Sequence, residues 1–396
     1  VNILRKKIRG CVLSIFVFSN LWSQNNAQSD IRQRLLDLYR KFDSEQNHKY
    51  ARPKISDNST GGFAWAVSYL MEGYLVMYEA TCDTAYMSKF CTYARVVLDN
   101  TDTRRGVKDY KGRVRCGWSA RSYSEDKASH MVHFVHTGMI LYPLLKYCVL
   151  YSYDKHFRNG KRYEELYKEI MSIAENCIQQ LEPQWRFNSA TGQGYYMWEG
   201  DEPVKTDLSL QPPLNGQAAM GKSLALLYRL TSKPDYLMKV RALANLFVKN
   251  ASVTKMQTLR WGYRADTSKA RQLEDFSHGA IDVEFALEAW RLKLVELSFI
   301  KQLANTLLNL KGKDGFAQYV DGTSRYKDDS EKFIYSLQAG RWLGLSEVNC
   351  RVYEAVLGYY LENVASQTAL HPSGMLGIAN LLKWYDKCLK SSKRIE

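Results

Sequence analysis

The 396-residue sequence predicts an all-α fold, an (α/α) toroid of six or seven helical hairpins with the long loops gathered on one face. Two observations carry this prediction. Apolar residues recur every three or four positions almost throughout, the period of helices with a buried side. The connections between these segments alternate between long and short, as in arrays of stacked helical hairpins. If the hairpins close into a ring, every helix after a long connection is an inner one. Its N-terminus then opens onto the long-loop face, where a cleft is expected.

In chain order the helical period covers residues 29–42, 62–83, 84–100, 126–152, 161–181, 212–232, 234–251, 278–296, 299–311, 331–345, 346–364 and 372–390. Long connections precede 62, 126, 212, 278 and 331, and a shorter one precedes 372. Short ones lie near 84, 153–160, 233, 297 and 346. Two of them, Asn159-Gly160 and Ser232-Lys233-Pro234, have the residues that punctuate helices. A strand-like pattern is confined to 182–211, where Tyr195-Tyr196-Met197-Trp198 fits a short hairpin. No Pro-, Gly- or Ser-rich linker divides residues 28–396, which predicts a single domain.

Residues 1–27 read as a signal peptide. Arg5, Lys6, Lys7 and Arg9 form a basic start, Cys11 to Trp22 a short apolar run, and Ser23-Gln24-Asn25-Asn26-Ala27 a polar exit. This predicts a secreted or periplasmic bacterial protein, with no membrane attachment after cleavage and no further membrane helix. Seven cysteines follow, Cys82, Cys91, Cys116, Cys148, Cys177, Cys350 and Cys388. An odd number at irregular spacing is no disulfide framework. They are expected as small apolar residues inside helices. No CxxC or HExxH spacing occurs, so neither a metal nor a cofactor is predicted.

The net charge is 55 − 41 = +14, and +10 without the four basic residues of the first 27. A basic surface concentrates anionic partners. The basic residues are dispersed, with no dense arm or stripe, which argues against nucleic acid. Anionic lipid and acidic polysaccharide also qualify, and an acidic polysaccharide is the expected partner. The chain has 27 Tyr and 9 Trp, enough to pack a core and still offer flat faces to sugar rings.

The segment richest in chemistry is Glu274-Asp275-Phe276-Ser277-His278-Gly279-Ala280-Ile281-Asp282, after a loop holding Trp261, Tyr263 and Arg271. It places an imidazole, which exchanges protons near neutral pH, at the start of an inner helix. The free N–H groups there favour anions. Asp275 or Ser277 is the expected helix cap, and of Glu274 and Asp275 one is expected to cap and the other to orient His278 or an arginine. The same rule selects Asn215, in Gln211-Pro212-Pro213-Leu214-Asn215-Gly216-Gln217, which also reads as a cap of its own helix. It selects Tyr335, one of His130, His133 and His136 (His136 preferred, beside Thr137-Gly138-Met139), and His371. Trp65, Trp118, Trp198, Trp261 and Tyr263 are candidate sugar platforms, and Asp57, Glu125, Glu199, Asp201 and Asp275 are the long-loop carboxylates.

Three segments occur in a meaningful order: His136-Thr137-Gly138-Met139-Ile140, then Asn215-Gly216-Gln217 with Gly221 and Leu227-Tyr228, then Glu274-Asp275-Phe276-Ser277-His278-Gly279. Together, over roughly residues 60–390, they resemble secreted bacterial (α/α)-toroid polysaccharide lyases acting on uronate polymers, the alginate and glucuronan lyases of polysaccharide lyase family 38. The resemblance implies that Asn215 binds and helps neutralise a uronate carboxylate. It implies that His278 and a tyrosine share the proton transfers, with Tyr335 matching by order and spacing, and Tyr326 and Tyr319 as alternatives.

The residue types suit such chemistry. β-Elimination needs a neutralised carboxylate, a base for the C5 proton and an acid for the C4 oxygen. His278 is the expected base and Tyr335 the expected acid. Asn215 stabilises the intermediate, and His136, Arg271, Glu274, Trp261, Tyr263, Trp198 and Trp65 contact the substrate. Three other classes stay open on the residues alone: a uronyl C5-epimerase, a glycoside hydrolase on a similar toroid, and a non-catalytic glycan-binding protein.

Overall fold

The helical period resolves into two concentric layers of helices in a computed structural model that describes residues 30–44, 58–158, 160–204, 206–265 and 272–390. The signal-like segment, Asp57 and Arg271 lie outside the described residues. Outer helices are α1 (30–44), α3 (Thr84–Asp99), α5 (Lys161–Gln180), α7 (Pro234–Asn250), α9 (Leu297–Leu310) and α11 (Cys350–Tyr359). Inner helices are α2 (Ser68–Thr81), α4 (Phe134–Tyr153), α6 (Leu214–Thr231), α8 (Phe276–Arg291), α10 (Asp329–Leu337) and α12 (Pro372–Tyr385). A π-helical turn, Phe63–Val67, leads into α2, and a 3-10 segment, Gln338–Glu347, continues α10. Each inner helix packs on the next: α2 on α4, α4 on α6, α6 on α8, α8 and then α12 on the 3-10 segment, and α12 back on α2. The result is an all-α toroid of six hairpins.

The two layers differ as burial demands. The inner helices α2, α4 and α6 are apolar nearly all round and buried along almost their whole length. The outer helices α5 and α9 keep one apolar stripe and expose the rest. The turns between helices in a hairpin are chemically marked. The side chain of Asp83 caps α3 by accepting from the Ala85 N–H. Ser232 ends α6 in the left-handed region, and Pro234 opens α7. Close helix approach also leaves its trace: a Cβ at Gly138 of α4 would lie 2.5 Å from the Ala219 carbonyl of α6.

By length and hydropathy α4 is long and apolar enough to cross a membrane, which the sequence reading did not expect, but 78% of that window is buried inside the ring. The ring axis is not all apolar. Lys222 of α6 and Arg341 of the 3-10 segment both contact Glu284 of α8, at 2.5 and 2.8 Å. Burial alone would raise the Glu284 pKa, but the two cations outweigh it and hold the group ionised.

The antiparallel hairpin expected within 182–211 is present as β1 (Trp185–Asn188) and β2 (Gln193–Tyr196). Two further two-residue pairs, β3 (Ser252–Val253) with β4 (Leu259–Arg260) and β5 (Lys311–Gly312) with β6 (Gly315–Phe316), carry no sequence signal of their own.

Two expectations are corrected. The helix expected at 126–152 starts only at Phe134, because Met131 exchanges backbone hydrogen bonds with Ala120 and holds that stretch extended. His130, His133 and His136 therefore do not share a helix face. The cysteines also do more than fill helices, since Cys350 of α11 and Cys388 after α12 form a disulfide that spans 38 residues. Cys350→Ser is expected to cost about 2–4 kcal/mol of stability, seen as a lower denaturant midpoint at unchanged slope. An unchanged midpoint would show that the bridge contributes nothing.

Candidate active site

The N-termini of the inner helices converge on a cleft of about 700 Å³, on the long-loop face. A second cavity, of about 360 Å³, opens between their C-terminal ends. Its acids and bases are largely paired with one another, as Lys146 is with Glu72 and Lys383 with Glu79.

The approach to α8 builds the centre of the cleft. Residues 272–276 run between two loop segments. Tyr263 N–H donates to the Gln272 carbonyl, Glu274 N–H to the Trp261 carbonyl, and Phe276 N–H to the Gln318 carbonyl. This fixes Asp275 as the cap of α8. Its Oδ1 accepts the Ser277 and His278 N–H groups at 2.9 Å each. Its Oδ2 lies 2.5 Å from His278 Nδ1. An ionised carboxylate only accepts, so the imidazole proton sits on Nδ1 and the lone pair on Nε2. The His278 side chain is 41% exposed and lines the cleft.

Tyr263 faces it, with ring centroids 5.7 Å apart. Burial first, then Glu274 and Asp275, push the Tyr263 pKa up to about 12. The phenol is therefore a proton donor across the physiological range. Tyr263 is tied to α6 through its carbonyl, which accepts the Leu214 N–H. The next residue, Asn215, lies in the first turn of α6 behind the capping Pro213, so it is not the cap itself. It is buried and lies beside the Tyr263 hydroxyl, and among the described residues its Nδ2 meets no other partner. An amide with an N–H to spare on a cleft wall is an open position for a ligand oxygen.

The opposite wall comes from the start of α4 and the turn before α2. Asn58 Oδ1 accepts the Phe63 and Ala64 N–H groups, so Asn58 Nδ2 must be the donor that meets His136 Nδ1 at 3.1 Å. His136 accordingly carries its proton on Nε2. Burial first, and then His133, hold its pKa well below the ordinary value, so it stays neutral. Burial takes His133 down to about 4, and among the described residues its Nε2 has no partner. Tyr123 sits edge-on to both rings, 5.4 Å from His133 and 5.0 Å from His136. Trp65 Nε1 donates to the Tyr123 hydroxyl at 2.8 Å. The turn below needs glycine: Gly61 has φ +80°, and a Cβ there would lie 2.8 Å from Trp65. The other inner helices contribute His371, Gln338 and Ile334, and the 197–213 loop contributes Trp198 and Thr206. Arg264 is the cation of the wall. Its guanidinium donates to the Gln211 carbonyl at 2.6 Å and lies 3.2 Å from Thr206 Oγ1.

The structure thus brings together seven of the residues selected from sequence: His278, Asn215, His136, His371, Tyr263, Trp198 and Trp65. Three others lie elsewhere. Trp261 is a core residue whose Nε1 donates to Asp282 at 2.8 Å, so it offers no face to a sugar. Glu274 is fully buried beneath the dyad. Tyr335 is half-buried against Tyr326 and does not line the cleft. Of the remaining candidates, Trp118 is buried and donates to the Val97 carbonyl. His130 is bound to Ser119. Glu199 is tied to Arg113 and Arg115 and joins two long loops.

Arg264, Tyr123 and His133 complete the wall. Arg264 directly follows Tyr263, and the loop-before-inner-helix rule that selected Tyr263 applies to it as well. Tyr123 sits mid-loop with no local signal. Among the described residues, the donors of Glu274, Asp275 and His278 lie within 4.8 Å of one another. Asp275 and His278 are bonded to each other and Glu274 turns inward, so these donors are already engaged.

No family model and no curated protein matches the chain. Solved structures do match in fold. An inactive variant of an alpha-1,6-mannanase of Salegentibacter sp. HEL1_6, in complex with alpha-1,6-mannotetrose, is 9% identical over 90% of this chain and 99% of that one, with a TM-score of 0.54. A polysaccharide lyase is 12% identical over 93% and 99%, with a TM-score of 0.50. A cellobiose 2-epimerase from Bacillus thermoamylovorans B4167 is 13% identical over 83% and 88%, with a TM-score of 0.54. At these identities the likeness is one of fold, and the fold is the all-α toroid that these three proteins share.

Proposed function

We propose that the protein is a polysaccharide lyase that cleaves a uronic-acid-containing polymer, alginate, polymannuronate or glucuronan, by β-elimination, outside the cytoplasm. One observation carries this reading. The cleft wall holds four imidazoles, two amides and an arginine, and no carboxylate among the described residues that line it. A retaining or inverting hydrolase needs two carboxyl groups across the scissile bond. The wall suits an anionic sugar instead, and an uncharged base suits a weakly acidic C–H bond. The fold of a polysaccharide lyase supports the reading, and the mannanase and the epimerase on the same fold represent its alternatives.

In this mechanism the uronate carboxylate accepts from Asn215 Nδ2, which among the described residues meets no partner but the neighbouring Tyr263 hydroxyl. That contact opposes the charge that builds as the C5 proton leaves. His278 Nε2 takes this proton, and Asp275 stabilises the imidazolium through Nδ1. The C4–O bond breaks as the C4=C5 bond forms. Tyr263 gives its proton to the departing oxygen, a role its raised pKa suits. Tyr263 thereby takes the part expected of Tyr335. Arg264 supplies the positive charge expected of Arg271, and Trp65 and Trp198 offer ring faces to neighbouring sugars.

The test is product mass in isotopically labelled water. Elimination gives fragments whose masses sum to that of the polymer, with no solvent oxygen. Uptake of solvent oxygen would make the enzyme a hydrolase. Deuterium at C5 without cleavage would make it an epimerase, and no product on any acidic polymer would leave a binding protein.

A further inference from the structure

Beneath the Asp275–His278 dyad lie two carboxyl groups, Glu274 and Asp282, both with 0% exposure, and among the described residues neither is paired with a lysine or arginine. Their four oxygens divide two and two. Glu274 Oε1 accepts the Asp275 N–H at 3.1 Å. Asp282 Oδ2 accepts from Trp261 Nε1 at 2.8 Å. The two oxygens left over, Glu274 Oε2 and Asp282 Oδ1, have no partner in the structure. Two carboxylates cannot both stay ionised in a dry site without a cation. A single proton between the two leftover oxygens satisfies both.

We propose that one proton is held between Glu274 Oε2 and Asp282 Oδ1, and that this pair is the positioning brace of the dyad, with Glu274 as its neutral member. The proposal rests on His278 acting as the base. The brace works through the backbone: Glu274 Oε1 holds the Asp275 N–H, and Asp275 holds the His278 ring. It also works through charge. Glu274 Oε1 is 3.9 Å from His278 Nδ1. A neutral Glu274 leaves Asp275 as the one ionised carboxylate in contact with the imidazole. The groups facing the pair are Asp275 and His278 on the α8 turn and Tyr263 from the loop. Trp261, Trp342 and Val320, which crowd Gly279 above it, bring no charge. Burial and the mutual repulsion of the pair raise the pKa of Glu274 well above the carboxylate range, consistent with a proton on this side.

Two substitutions with opposite expected results test this. Glu274→Gln copies a neutral carboxylic acid, with an amide N–H where the acid O–H stood. It is expected to keep kcat/KM within about threefold and to keep the wild-type pH profile. Asp282→Asn turns an amide N–H toward the acid O–H. That clash is relieved only if Glu274 ionises, which puts a second negative charge beside His278. The acid limb of the rate–pH profile is then expected to rise by about one pH unit.

The shared proton has a signature that needs no substrate. The difference between the wild-type and Glu274→Gln infrared spectra at neutral pH should show the carbonyl band of a buried carboxylic acid, a comparison in which the band of the buried Glu202, whose pKa burial raises to about 7, cancels. Absence of that band from the difference would overturn the proposal, whether or not any polymer is cleaved. So would a loss of about a hundredfold or more in Glu274→Gln, or an unshifted profile in Asp282→Asn. If the band is present but no polymer is eliminated, the shared proton stands and the lyase reading fails.

Discussion

His278→Ala is expected to lower elimination on the preferred polyuronate by about 10²–10⁴-fold, the range removed with a general base. The loss should appear in kcat, because the imidazole acts on the C5 proton in the transition state and adds little to ground-state binding. The fold should survive. His278 is partly exposed, and Asp275 continues to cap α8 through its other oxygen, which accepts two backbone N–H groups. Unchanged melting with lost turnover is therefore the expected pair of results. Unchanged turnover would remove His278 from the chemistry.

Asn215→Ala is expected to cost about 10²–10³-fold in kcat, the usual effect of removing one donor from a developing anion. Among the described residues the Nδ2 meets no partner but the neighbouring Tyr263 hydroxyl, so its removal should destabilise the ring little. Asn215→Asp keeps the shape and reverses the sense of the contact, placing a carboxylate against a carboxylate. It should be at least as inactive as the alanine variant and should also raise KM. Activity in Asn215→Asp would contradict carboxylate recognition at this position.

Much of this architecture was legible in the sequence because it rests on two periodic signals. The three-to-four-residue apolar spacing located the helices. The alternation of long and short connections said which of them lie inside and which face bears the cleft. Asn215 and His278 followed, since both sit in the first turn of an inner helix. What failed did so for tertiary reasons. The spacing of His130, His133 and His136 is helical on paper, but pairing of Met131 with Ala120 takes that stretch out of the helix. Trp261 stands in the right loop, yet its indole turns inward to Asp282. Glu274 is one residue from the cap and wholly buried, and strict alternation along an extended segment sends it to the core while Asp275 faces His278. Tyr335 was selected by its place near the start of an inner helix and by order and spacing, and none of these determines which side of a helix faces the cleft. The Cys350–Cys388 bridge joins two helices whose contact is set by ring closure, which no local spacing reveals.

The most direct test of the central claim is ultraviolet absorbance of an unsaturated uronate, followed with the wild-type protein and His278→Ala on alginate, polymannuronate, glucuronan and glycosaminoglycans. The predicted result is a rising signal on a polyuronate, without added metal, that disappears in the variant. A folded wild-type protein that stays silent on every polymer, or a signal that persists in His278→Ala, would contradict it.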